Sequence, residues 1–197
     1  NHHGYQPDDW ATFRGDARRS GSTRSAVPEK VGEKWRAKIG GKLSAPVVAN
    51  GTVYVAAVDA HTVYAIDAKN GKTKWTATAG GRVDSPPTIY QGRTLFGSAD
   101  GCVYCLRASD GAIDWRFRAA PDDLRMVAQS QVESVWPVHG SVLLRDGELW
   151  CIAGRSLFLD GGLHAIKLDA LSGTLQFDEI MGDTLPGGDR PLHTTAG

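Results

Sequence analysis

The chain has 197 residues, 41% hydrophobic and 22% charged, with 24 glycines, which sets it among globular chains able to bury a core and apart from disordered ones. Its 22 basic and 22 acidic residues cancel and no basic run is interleaved with aromatics, so the electrostatic footprint of a nucleic-acid or anionic-membrane binder is missing. No apolar run reaches the roughly 18 residues of a membrane-spanning helix, and three cysteines, Cys102, Cys105 and Cys151, are too few and odd in number for a disulfide framework.

The sequence opens at Asn1 with neither a methionine nor a signal pattern, so a processed or cut N-terminus is expected. Residues 1–30 form a polar leading segment that contains DWATFRGDARRSG (Asp9 to Gly21). The Arg14-Gly15-Asp16 tripeptide inside it spells an adhesion motif, but three residues match readily by chance and a turn is the better reading. Next comes KWRAKIGGKLSAP (Lys34 to Pro46), which returns 40 residues later as KWTATAGGRVDSP (Lys74 to Pro86). An outer strand is predicted at 33–39.

The following two units have one plan of short strands separated by turn residues. The first reads APVVA, Asn50-Gly51, TVYVAAV, a turn near Asp59 to His61, TVYAIDA, Asn70-Gly71 and KTKWTATA. The second reads PTIY, Gln91-Gly92, RTLFGSA, Asp100-Gly101, CVYCLRA, Asp110-Gly111 and AIDWRFRA. Asn-Gly and Asp-Gly accept the positive φ of tight hairpins, which explains their recurrence at these boundaries. Asp59 and Asp100 fall at equivalent hairpins, where a repeated turn role accounts for both. Asn50-Gly51-Thr52 matches a glycosylation acceptor, yet it also supplies a turn, and the turn is preferred. The first two strands of each unit are almost continuously apolar, as buried inner strands are. The fourth alternates, with Lys72 and Lys74 on one face and Thr73 and Trp75 on the other.

After Trp115 the repeat breaks. The chain spends 26 residues before Ser141 where the earlier units spend about 11, inserting PDDLRMVAQSQVESVWPV. A third, looser copy follows, LHAIKLDALSGTLQF, with GRSLFLDGG (Gly154 to Gly162) lengthening one hairpin. Repeats of about 40 residues with four strands each are the pattern of propeller blades around a channel. The fold expected is therefore all-β, a propeller of four-stranded antiparallel blades at about 44–79, 85–119 and 138–179, with a tail at 181–197 leading toward a further blade.

The segment AIDAKNGKTKW resembles the tryptophan-docking motif of the pyrroloquinoline-quinone (PQQ) propeller superfamily through Ala65, Asp67, Gly71, Lys72 and Trp75. The second copy keeps Gly111 and Trp115 but has Cys105 and Arg107 at the Ala and Asp positions; the third keeps Asp169 and Gly173, with Phe177 replacing the indole. That superfamily includes quinoprotein dehydrogenases, which hold PQQ and calcium, and non-enzymatic members such as the BamB scaffold of outer-membrane protein assembly. The resemblance implies that each ring packs between neighbouring blades, a burial contributing about 2–3 kcal/mol. This role needs no cofactor. With about three and a half blades present where the superfamily closes with about six to eight, the remaining blades of a longer chain are expected.

Motifs for chemistry are weak. Cys102 and Cys105 form C-x-x-C, but on one strand residues three apart face opposite ways, so two unrelated buried thiols are expected. Quinoprotein dehydrogenases often set a disulfide of adjacent cysteines against PQQ, and no adjacent pair exists here. His61, His139, His164, His193, His2 and His3 are scattered without metal-ligand spacing beyond the adjacent terminal pair. Neither a phosphate loop nor a nucleophile elbow occurs. The insertions are the better lead, because propellers place recognition loops where the repeat breaks. Arg125, Trp136 and Arg155 are the candidate surface for a protein partner or small ligand; a lid over the channel rim explains the same residues. The expected function is a non-catalytic binding or scaffolding module of an exported, periplasmic or otherwise extracytoplasmic protein, with no cofactor. The alternatives are a section of a PQQ- and calcium-dependent alcohol or sugar dehydrogenase, and a propeller that binds small ligands or glycans.

Overall fold

The computed structural model describes Gln6 and residues 8–23, 25–26 and 28–182. His2, His3, His193 and the tail beyond residue 182 lie outside the described residues. No helix occurs among the described residues, so none is long and apolar enough to cross a membrane.

Three four-stranded antiparallel sheets follow one another along the chain, each a simple meander. The first holds β1 (Val47–Ala49), β2 (Thr52–Ala57), β3 (Thr62–Asp67) and β4 (Thr73–Thr78). The second holds β5 (Thr88–Tyr90), β6 (Arg93–Gly97), β7 (Cys102–Arg107) and β8 (Ile113–Arg118). A two-stranded hairpin, β9 (Arg125–Ala128) with β10 (Gln131–Ser134), interrupts the series. The third sheet holds β11 (Leu143–Arg145), β12 (Glu148–Ala153), β13 (Leu163–Asp169) and β14 (Leu175–Met181). This is the partial propeller that the repeat predicts.

The register repeats as closely as the sequence does. Ala65, Cys105 and Lys167 sit opposite Trp75, Trp115 and Phe177, and immediately beyond each pair the ladder slips by one residue. Such a bulge sharpens the local twist and re-aims the ring beside it. In the first copy Lys74 is the extra residue. Its side chain is exposed, as alternation predicts, and reaches across the sheet to Thr52 Oγ1 at 2.7 Å.

The core lies between sheets. On β7, Cys102, Tyr104 and Leu106 enter the apolar cluster shared with the first sheet, whereas Val103 and Cys105 enter the cluster shared with the third. The two thiols thus face opposite ways. Cys102, Cys105 and Cys151 are all buried and free, and burial pushes the first up to about 11 and the other two up to about 12.

The outer strand predicted at 33–39 is not formed: residues 31–40 join no ladder. A strand needs a partner edge, and no sheet among the described residues offers one there. Trp35 nevertheless docks, donating from Nε1 to Ala68 O at 2.9 Å.

Candidate functional site

The docking turns come first because they fix where everything else stands. Gly71, Gly111 and Gly173 have φ of +73°, +75° and +70° and lie under the indoles of Trp35, Trp75 and Trp115. A Cβ added at each would meet the ring at 2.7, 2.6 and 2.6 Å. Only glycine supplies both the left-handed backbone and the room. Trp75 Nε1 donates to Ala108 O at 2.9 Å as Trp35 does to Ala68, while Trp115 Nε1 is buried without a partner among the described residues.

Asp67 Oδ1 accepts the N–H groups of Lys69 and Asn70, and Asp169 Oδ1 accepts those of Leu171 and Ser172. These bonds are the leading cause that holds each carboxyl below its usual range. In the second copy Arg107 takes the Asp position and its guanidinium pairs with Asp110 at 2.7 Å, while Asp110 Oδ1 accepts Ala112 N as Asn70 Oδ1 accepts Lys72 N in the first. Lys72 remains on the turn surface and closes it through Lys72 O to Asp67 N. Phe177 is exposed and packs tilted against Trp150.

The excursion between β8 and β11 is a built element. Gln129 and Ser130 both adopt positive φ, which gives the β9–β10 hairpin a turn matched to strand twist. Its inner face is fastened: Met126 packs against the core between the second and third sheets, Glu133 pairs with Arg82 in an ion pair whose side chains are 3% and 9% exposed, and Gln131 bonds His61 and donates to Asp59 O. Ser134 N donates to Ala99 O at 2.8 Å. The hairpin is thereby tied to the first two sheets.

Its outer face differs. Val127 and Val132 stand directly opposite each other, 74% and 59% exposed, with Leu124 beside them and Arg125 paired with Asp123. The second excursion exposes Leu157, Phe158 and Leu159. Its anchor is Asp160, whose carbonyl accepts Trp136 Nε1 at 2.8 Å and whose carboxylate pairs with Arg155 at 2.7 Å.

Of the three residues expected on a recognition surface, only Arg125 stands on the exposed face of the hairpin. Trp136 is buried in the core between the second and third sheets, because its ring fills the gap the insertion must span. Arg155 is spent on Asp160 and on Val135 O. Both staple the two excursions together. Sequence reading passed over Arg82, Glu133 and Asp84; the signal available was a charge inside the short apolar runs GGRVDSP and QVESVWPV. Asp84 Oδ2 accepts His139 Nδ1 at 2.6 Å. Among the described residues no three His, Cys, Asp or Glu side chains are grouped as a metal would require.

The family model described as outer membrane protein assembly factor BamB matches residues 16–176. The BamB protein of Burkholderia pseudomallei (strain K96243) is 33% identical over 105 residues, covering 52% of this chain and 27% of that protein. The dehydrogenase subunit of the quinone alcohol dehydrogenase of Komagataeibacter europaeus is 36% identical over 90 residues, 37% of this chain and 12% of that one. The matched stretch thus spans about a quarter or less of these relatives. A quinohemoprotein alcohol dehydrogenase from Pseudomonas putida HK5 superposes with a TM-score of 0.73 over 92% of this chain and 27% of that one, at 19% identity, a likeness of fold.

Proposed function

Since the chain belongs to the family of outer membrane protein assembly factor BamB, we propose that it serves as a non-catalytic propeller module that binds a protein partner in an extracytoplasmic compartment. The observation that carries this reading is the contrast between the two faces of the β9–β10 hairpin. The inner face is fixed by a buried ion pair and by hydrogen bonds to two sheets; the outer face presents Val127, Val132 and Leu124 to solvent. An apolar patch on a rigid mount suits a protein interface, because little ordering entropy is lost when a partner covers it.

Deleting the hairpin would strip Arg82 of its partner and confuse binding with folding. Point changes on the outer face separate the two. Val127→Asp and Val132→Asp are expected to leave the melting temperature nearly unchanged, since exposed substitutions shift stability by about 0.5 kcal/mol or less. Both should weaken capture of the partner that the full-length protein retains by crosslinking. An unchanged partner set with both variants would sink the reading.

The quinoprotein alternative has the Komagataeibacter likeness in its favour. Its PQQ and calcium do not fit the residues described: the three thiols are buried and separate, the acidic side chains are not grouped, and the backbone of Trp10 and Ala11 takes up the inner edges of β1 and β5. Reconstitution of the full-length protein with PQQ and calcium tests this, and a quinoprotein absorbance spectrum would restore the dehydrogenase reading.

A further inference from the structure

The leading segment runs across the inner edges of the sheets. Trp10 O and Ala11 O accept Val48 N of β1 and Ile89 N of β5, at 2.9 and 2.8 Å. Further along, Arg19 Nη2 donates to Val142 O at 3.0 Å and Ser141 O at 3.3 Å, just before β11. Between this segment and the connections that enter β1, β5 and β11 lies a cavity of about 480 Å³, lined by none of the residues of the hairpin's outer face.

The cavity wall has two opposite charges that do not pair with each other. Arg19 has no carboxylate partner among the described residues: four of its N–H groups go to neutral oxygens of Thr12, Phe13, Ser141 and Val142, and Nε–H remains. Asp84 contributes a carboxylate held by His139 Nδ1 at 2.6 Å and, more weakly, by Gly140 N at 3.4 Å. A carboxylate has about four acceptor sites, so capacity is left over. Ser141 lines the cavity with a hydroxyl that has no partner among the described residues, and Ser85 in the same wall has a buried hydroxyl with none. A buried hydroxyl without a partner is uncommon in folded proteins and marks a place where a bound group or water completes the network. Apart from Ser44, whose hydroxyl is already bonded to Ala45 O and Ala56 N, the rest of the wall is apolar, with Phe13 and Leu43 both more than one-third exposed.

These features select by chemistry. An anion would be opposed by Asp84 and offered a single donor by Arg19; a cation would be opposed by Arg19. A neutral molecule whose groups both donate and accept suits both walls, and hydroxyls do both. Its C–H faces would lie on Phe13 and Leu43. We propose that this cavity is a binding site for a small neutral polyhydroxylated ligand of the sugar type, with Asp84 and Ser141 as its direct hydrogen-bond partners.

The test is a titration of the full-length protein with a panel of neutral mono- and disaccharides, alongside free amino acids and sugar phosphates, followed by calorimetry and by amide shifts in NMR spectra. At least one neutral sugar should saturate, shift the amides of residues 84–85 and 139–142, and bind about tenfold more weakly to Asp84→Asn and about threefold more weakly to Ser141→Ala. Should Asp84→Asn fail to fold, Ser141→Ala and the wild-type shift map decide the matter alone. The proposal is overturned by a panel in which no neutral sugar saturates, by shifts that map elsewhere, by variants that bind as the wild type does, or by preference for the amino acids or sugar phosphates.

Discussion

Gly111 holds two constraints in one residue, a φ of +75° and an indole 2.6 Å from where a Cβ would sit. Gly51 shares the first, with φ of +69°, but has open space around its missing side chain. Comparing alanine at the two sites separates backbone strain from packing. Gly51→Ala should cost about 1–2 kcal/mol, the left-handed penalty alone. Gly111→Ala must also displace the Trp75 ring from its seat and is expected to cost about 2 kcal/mol more, read from urea denaturation. Equal losses would show that the indole yields without penalty. The Gly and Trp positions of the motif were legible in the sequence because they recur at a fixed offset, and periodicity is what a sequence displays best. The Arg107–Asp110 pair that spans the second turn was not legible, since an ion pair made in one copy leaves no periodic trace.

Among elements, the β9–β10 hairpin is the one that sequence reading left as an irregular excursion. Only two alternations per strand and a Gln129-Ser130 turn announce it, and neither residue is a usual left-handed choice. The reverse holds at 33–39, where an alternating pattern forms no strand because a ladder requires a neighbour that local sequence cannot supply. The hairpin's stability rests on Arg82 and Glu133. Glu133→Ala would leave a guanidinium buried without its counter-charge, and a loss of about 3–5 kcal/mol is expected. The double replacement Arg82→Met with Glu133→Leu should restore most of it, since removing both charges removes the desolvation cost too. A double variant as unstable as the single one would mean that the pair's hydrogen-bond geometry, rather than its charge balance, holds the hairpin.

For the molecule as a whole, the sheets are coupled at their connections, and acid should uncouple them. Burial pushes the Asp84 carboxyl up, but the His139 ring, the Gly140 N–H and the Arg82 charge outweigh burial and hold it below its usual value. A carboxyl whose pKa is lower folded than unfolded adds stability above its unfolded value of about 3.9, and loses that contribution as pH falls through the folded value. Thermal melts from pH 6 down to pH 2 should therefore drop more steeply for the wild type than for Asp84→Asn across the region below about pH 4. Parallel curves would remove Asp84 from the acid response.

The indole bonds have a direction, and direction becomes time when a chain is synthesised. Trp35 and Trp75 each donate to a carbonyl 33 residues further on, so neither ring is seated until its successor turn has left the ribosome. At roughly 5–20 residues per second, that wait is about 2–7 s per repeat. Trp115 must wait longer, until Gly173, because the hairpin and the second excursion are made in between. The hairpin and the second excursion thus lengthen the interval during which the third ring of the series stands uncovered.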